Sequence, residues 1–138
     1  MEIYKTKIST NKFLPYFSSL VTAGFPSPAD DYINEKLDLN EYLIQNPAST
    51  FLVKVEGDSM TGAGIFPGDM LVIDRAETVK DGSVVLAVID NEFTVKRYKK
   101  KGSKMFLVPE NPNYEVIEIV GDMYFEVWGV VTSVIHKP

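Results

Sequence analysis

The stretch SVVLAVIDNEFTVKRYKK, residues 83–100, contains two apolar, β-rich runs separated by a short polar turn. Asp90 and Asn91 occupy that turn, and both residue types tolerate the left-handed backbone that a tight hairpin requires. Valine, isoleucine, phenylalanine and threonine are frequent in the two runs, and these residue types favour strands. Residues 83–98 are therefore predicted to form two paired antiparallel strands.

The same alternation of β-rich run and turn extends on both sides of this hairpin, from Thr50 to near the C-terminus. Clusters of Gly, Pro, Asn, Asp and Ser separate the runs and are typical of turns. The runs lie at residues 50–57, 70–75, 83–90, 92–98, 105–110, 114–120 and 124–136. The sequence therefore predicts a mainly β fold, a compact body of about seven mostly antiparallel strands with one or two short helices.

The N-terminal 23 residues differ from this body in charge and pattern. They carry three lysines and one glutamate, whereas the whole chain of 138 residues has a net charge of -5. Their apolar residues recur at i, i+3, i+4 and i+7, which would give an apolar stripe on a helix; these residues are Phe13, Tyr16, Phe17 and Leu20. We expect residues 1–23 to be a mobile N-terminal arm attached to a body formed by residues 24–138.

A linker rich in Gly and Pro, GFPSPADDY, follows the arm. Ser27 is a suitable N-cap and Pro28 suits the first helical position, so a short helix is predicted from there through about Leu37. Asp38 repeats the capping pattern and predicts a further turn or two of helix through Ile44.

The composition excludes several classes of function. The chain has no cysteine, which removes disulfides, thiolate nucleophiles and cysteine-based zinc sites and fits a cytoplasmic protein. The net negative charge argues against strong direct DNA binding. No apolar run approaches the ~18 residues of a membrane span, so no membrane association is predicted. No metal and no other cofactor is predicted.

The motif GDSM at residues 57–60 raises the question whether Ser59 is a turn residue or a nucleophile. A serine hydroxyl needs a neighbouring base, and the single histidine, His136, lies near the C-terminus and is more simply a solvated residue. Lysine can act as the base where burial lowers its pKa, and Lys96 in EFTVKRY is the lysine to test. Spacing and composition alone favour the other interpretation, a turn serine and a surface strand lysine.

Several motifs, taken in order, resemble the UmuD branch of the LexA-like self-cleaving serine peptidase family. They are the Ala-Gly pair before FPSP at residues 23–28, GDSM at 57–60, GI at 64–65, GD at 68–69 and EFTVKR at 92–97. The resemblance extends over nearly the whole chain. It implies a LexA/UmuD-type peptidase body in which Ser59 is the nucleophile and Lys96 is the general base.

The resemblance also implies that the protein cuts the Ala23-Gly24 bond in its own arm. Val21, two residues before the bond, would face the same side of an extended arm as Ala23 and fill an apolar pocket. The backbone N–H groups of Ser59 and Asp58 would then bind the oxyanion. Ala-Gly is the pair found in LexA-type repressors, whereas many UmuD proteins have Cys-Gly, and both first residues are small.

The implied function is SOS mutagenesis during DNA repair. Self-cleavage would be stimulated by a RecA filament on single-stranded DNA, and the shortened form, a homodimer, would join a UmuC-type subunit in a translesion DNA polymerase. Three alternatives stay open at this point: a non-catalytic polymerase-binding module with a vestigial site, a signal-peptidase-like enzyme, and a phage-type repressor fragment. The 23 residues before Gly24 are too few for a DNA-binding domain. The basic segment Arg97 to Lys104 is interpreted as a solvated loop.

Overall fold

The structure is a computed structural model, and it describes residues 2–6, 13–17 and 33–138. These residues belong to two compact units, one formed by residues 1–6 and 46–138 and the other by residues 7–45. Along the chain the strands are β1 (Glu2–Lys5), β2 (Phe13–Phe17), β3 (Ile33–Asp38), β4 (Thr50–Lys54), β5 (Met70–Asp74), β6 (Val84–Ile89), β7 (Glu92–Lys101), β8 (Lys104–Val108), β9 (Ile117–Ile119) and β10 (Phe125–Ile135). The helix α1 spans Leu39–Leu43, and short 3-10 turns span Pro47–Ser49 and Thr61–Ala63.

The larger unit is built on an eight-stranded sheet in the order β1-β4-β5-β10-β6-β7-β8-β9. Every neighbouring pair in this sheet is antiparallel. Strands β4 to β10 coincide with the seven runs predicted from the sequence, so the mainly β, antiparallel fold is confirmed. The hairpin of β6 and β7 turns at Asp90 and Asn91, whose φ angles of 46° and 71° are the left-handed values that the turn needs.

Strand β6 is buried on both sides and separates two apolar clusters. Leu86 contributes to one cluster, while Val85 and Ala87, on the opposite side of the strand, belong to the other. The first cluster also contains Phe51, Val53, Val55, Met60, Ile65, Leu71, Ile73 and Val95. Residues that flank the candidate site are therefore held by the core itself.

The smaller unit differs from the sequence prediction. Strand β2 pairs antiparallel with β3, so residues 13–17 are extended and the predicted helical stripe is wrong. Residues 33–37 also lie in a strand, and the predicted helix through Leu37 is wrong there. Local capping signals suggested helix, but the two segments pair with each other. Within the described residues β2 pairs on one side only, and an edge strand of this kind tolerates Pro15.

The second predicted helix is confirmed by α1. Asp38 is its N-cap, and its side chain accepts a hydrogen bond from the Asn40 N–H at 3.0 Å. The predicted boundary between arm and body at Gly24 lies outside the described residues and stays a prediction. Within the described residues, no helix is long and apolar enough to cross a membrane.

Candidate active site

Ser59 lies in a loop after β4, here called the Ser59 loop and comprising residues 57–64. Gly57 and Gly64 have φ angles of 79° and 78°, which favour glycine and let the chain reverse at both ends of the loop. Met60 is only 3% exposed and joins the apolar core, so it fixes the loop beside the half-buried Ser59.

Lys96 lies on β7, an interior strand of the sheet, opposite Val85 of β6. It is 9% exposed, and its Nζ lies 3.0 Å from Ser59 Oγ. Nζ also lies 2.6 Å from Thr94 Oγ1 and 3.1 Å from the Val95 carbonyl oxygen. Burial lowers the pKa of Lys96 from its ordinary value, because the charged amine loses water.

The three neighbours of Nζ fit a neutral amine. Such an amine has two hydrogens and one lone pair, so two neighbours accept hydrogen bonds and the third donates one. The Val95 carbonyl can only accept, whereas the hydroxyls of Ser59 and Thr94 can donate. A state in which Ser59 donates to Nζ, while Thr94 and Val95 accept, satisfies all three contacts.

The backbone N–H groups of Asp58 and Ser59 differ in their partners. Among the residues that the structure describes, the Ser59 N–H donates no hydrogen bond, whereas the Asp58 N–H is directed at the Tyr114 hydroxyl. Of the two N–H groups predicted as oxyanion donors, the Ser59 N–H is thus the one without a partner, and the role of both stays a prediction.

Two pockets meet at Lys96, and Phe93 and Thr94 line both of them. The smaller, of about 90 Å³, has walls that are about half apolar, with Val55, Met60, Ile65 and Val95 as apolar members, and Ser59 also lines it. The larger, of about 520 Å³, is lined by residues that include Ile89, Tyr114 and Ile117. The smaller pocket therefore adjoins both Ser59 and Lys96, whereas the larger one adjoins Lys96.

His136 forms a hydrogen bond with Asp69. Its Nδ1 lies 2.6 Å from Oδ1 of buried Asp69, and its ring is 5.4 Å from the Phe66 ring. Burial raises the pKa of Asp69, but hydrogen bonds from the Phe66 N–H and from His136 outweigh it and hold that pKa below its ordinary value. His136 thus has a structural partner and is less solvated than expected, with half of its side chain exposed.

The other predicted site residues are not all described. Val21, Ala23 and Gly24 lie outside the described residues, so their roles stay predictions. The basic segment is a strand up to Lys101, and Arg97 is only partly exposed, with its Nε donating to Glu110 Oε1 at 2.6 Å. Lys99, Lys100, Lys101 and Lys104 are exposed.

Comparison with known proteins gives consistent matches. A family model described as Peptidase S24-like matches residues 15–132. The protein SamA of Salmonella typhimurium is 46% identical over 123 residues, which cover 89% of this chain and 85% of SamA. MucA of Escherichia coli is 42% identical over 127 residues, covering 91% and 86% of the two chains. The LexA repressor of Glaesserella parasuis is 39% identical over 118 residues, covering 85% of this chain and 56% of the repressor.

Proposed function

The chain belongs to the Peptidase S24-like family, and on that basis we propose that it cleaves its own Ala23-Gly24 bond with Ser59 as nucleophile and Lys96 as general base. The observation that carries this proposal is the 3.0 Å contact between Lys96 Nζ and Ser59 Oγ. Lys96 has no carboxylate partner among the described residues, and its burial favours the neutral amine that a base must be.

The reaction follows the usual course of acyl transfer. Lys96 Nζ takes the hydroxyl proton as Ser59 Oγ attacks the Ala23 carbonyl carbon, and the resulting oxyanion is bound by the N–H groups of Ser59 and Asp58. When the C–N bond breaks, Lys96 returns the proton to the Gly24 nitrogen. A water molecule, deprotonated by Lys96, then releases Ala23 from its ester with Ser59 and ends the cycle.

The smaller pocket supports a small residue on the acyl side of the bond. Its volume of about 90 Å³ and the apolar side chains in its wall, which include Val55 and Ile65, suit the methyl group of Ala23. Gly24 has no Cβ next to the attacking oxygen, which eases the approach of the arm. Val21, on the same side of the extended arm as Ala23, fills an apolar pocket.

The biological setting proposed for this reaction is the SOS response in the cytoplasm. A RecA filament on single-stranded DNA stimulates cleavage, and the shortened homodimer serves as an accessory subunit of a UmuC-type translesion polymerase. The family resemblance supports this setting, and the similarity to SamA and MucA over most of their length agrees with it.

The test is incubation of the full chain with RecA, single-stranded DNA and ATP, followed by intact-mass measurement. The expected large product begins at Gly24, and Ser59→Ala and Lys96→Ala give no product. A parent chain that is folded but never cleaves would instead favour the non-catalytic module with a vestigial site. A product that begins at another residue would refute the assignment of the bond.

A further inference from the structure

Four hydrogen bonds join the Ser59 loop to a second loop that is distant in sequence, residues 110–114, here called the 110–114 loop. The Glu110 N–H donates to the Ser59 carbonyl at 2.9 Å, and the Gly62 N–H donates to the Glu110 carbonyl at 2.7 Å. The Asn111 side-chain amide donates to the Asp58 carbonyl at 2.8 Å. The Tyr114 hydroxyl donates to the Asp58 carboxylate at 2.5 Å.

The Asn111 contact fixes a specific peptide group. The Asp58 carbonyl and the Ser59 N–H belong to one planar peptide unit, and in a trans peptide they point in opposite directions. Holding the carbonyl at 2.8 Å therefore also sets the direction of the Ser59 N–H. The Glu110 contact acts in the same way on the next peptide unit, through the carbonyl of Ser59.

The Asn111 side chain is itself held in one orientation. Its Oδ1 accepts a hydrogen bond from the Asn113 N–H at 2.9 Å, so its NH₂ group is directed to the Asp58 carbonyl. Tyr114 keeps its proton and remains a donor, because the hydrogen bond to the Asp58 carboxylate raises the pKa of Tyr114. Asn111 and Tyr114 thus hold Asp58 at two different atoms.

The 110–114 loop is tied to the strand that carries Lys96. Arg97, the next residue of β7, bonds Glu110 through Nε at 2.6 Å and the Gly82 carbonyl through Nη1 at 2.6 Å. The two loops also approach closely, since a Cβ on Gly62 would lie 2.6 Å from the Glu110 carbonyl oxygen. One strand therefore supports Lys96 directly and the Ser59 backbone through Arg97 and the 110–114 loop.

We propose that Asn111 is a positioning residue for the oxyanion site: its amide holds the Asp58-Ser59 peptide so that the Ser59 N–H meets the negative oxygen that forms on the cleaved carbonyl. The inference rests on the proposed self-cleavage. It assigns to Asn111 a role in binding the transition state, separate from the proton transfer at Lys96.

The test is the rate of unstimulated self-cleavage of the full chain as a function of pH. Asn111→Asp is the sharpest variant, because a carboxylate keeps the size and the bond to the Asn113 N–H but has no hydrogen to donate to the Asp58 carbonyl. We expect its maximal rate at high pH to fall at least about 10-fold. Removing an oxyanion donor lowers the rate of acyl transfer strongly, and a misdirected donor should lose much of the same stabilisation of the transition state. The pH midpoint stays that of the parent, because Lys96 keeps its contacts.

Asn111→Ala should lose a similar factor, and Asn113→Ala is the matched control. The Asn113 side chain makes no hydrogen bond within the described part of the chain, so this variant should cleave like the parent. Thermal melting of each variant shows whether it is folded at the assay temperature.

The possible results distinguish failure of this inference from failure of the proposed function. A folded Asn111→Asp chain that cleaves within about 3-fold of the parent rate would overturn the inference. A rate loss explained by a shifted pH midpoint would also overturn it, because Asn111 would then act through Lys96. If both Asn111 variants are unfolded in the assay, Asn111 is a structural residue and the inference is wrong. If the parent chain itself does not cleave, the proposed function fails, and not this step alone.

Discussion

Lys96 and Ser59 are 37 positions apart in the chain, yet Lys96 Nζ lies 3.0 Å from Ser59 Oγ. The pairing of β7 with β6 and β8 fixes Lys96 in the interior of the sheet, and the core residue Met60 fixes the Ser59 loop against it. The contact is therefore built into the fold.

The first prediction concerns the pH dependence of self-cleavage. Burial lowers the pKa of Lys96 below its ordinary value of 10.5, so the neutral, basic form becomes populated at a lower pH than for an exposed lysine. The cleavage rate should rise with pH and level off above the Lys96 pKa. Intact-mass time courses between neutral and alkaline pH measure this profile.

Substitutions of the two residues give the controls for this profile. Ser59→Ala removes the nucleophile, and Lys96→Arg keeps a positive charge that stays protonated, so neither should cleave at any pH. Cleavage by Lys96→Arg at the parent rate would show that the base lies elsewhere.

The second prediction concerns stability. The folded chain holds the Lys96 proton less tightly than the unfolded chain. Between the lowered pKa of the folded state and 10.5, the unfolded state therefore binds more protons. The free energy of unfolding rises with pH in that window. Lys96→Met removes the free-energy cost of burying a charged amine and should raise the melting temperature by a few degrees near neutrality. The difference in melting temperature between Lys96→Met and the parent should shrink as pH approaches 10.5. A difference that grew with pH would contradict this prediction.

The sequence was sufficient for strands β4 to β10 of the larger unit because their signals are local, whereas β1, which pairs with β4, was not predicted. Each strand from β4 to β10 is a short β-rich run bounded by turn residues, and Asp90 and Asn91 specify the hairpin that carries Lys96. Capping by Asp38 likewise predicted α1. Local signals failed where pairing decided the outcome: β3 follows a helix-capping sequence but is extended because β2 pairs with it.

The candidate site was only partly accessible from the sequence. The motifs around Ser59 and Lys96 identified the pair through family resemblance. Asn111, in contrast, lies 53 positions from Asp58 and sits in an ordinary turn sequence. No local pattern marks such a contact, because it depends on how β7 and β8 place two loops next to each other.

The third prediction separates His136 from catalysis. His136→Ala removes the partner of the buried Asp69 carboxylate, so the free energy of unfolding should fall by about 1 kcal/mol. The self-cleavage rate of the folded variant should equal that of the parent. Denaturant unfolding and intact-mass kinetics measure the two effects, and an inactive but folded variant would refute the Ser59 and Lys96 assignment.

The fourth prediction concerns the arm after cleavage. The proposed bond lies in the segment that connects β2 to β3, and those strands pair with each other on either side of it. Further upstream, β1 pairs with β4, and the Thr6 hydroxyl donates to the Thr50 carbonyl at 3.1 Å. Cutting the chain at Ala23-Gly24 therefore breaks a covalent bond but leaves both strand pairings intact.

We expect the cleaved arm, residues 1–23, to stay bound until these pairings open. Short two-stranded ladders are weak in water, so binding should be reversible and should be lost on dilution. Native mass spectrometry or gel filtration of freshly cleaved protein should find arm and body together, while denaturing mass spectrometry finds them separate. Ile3→Pro with Leu14→Pro interrupts both ladders and should speed release. If the arm leaves as fast from the parent as from this variant, the strand pairings do not retain it. Cleavage of the bond alone then determines when the edge of β4 that β1 covers becomes exposed.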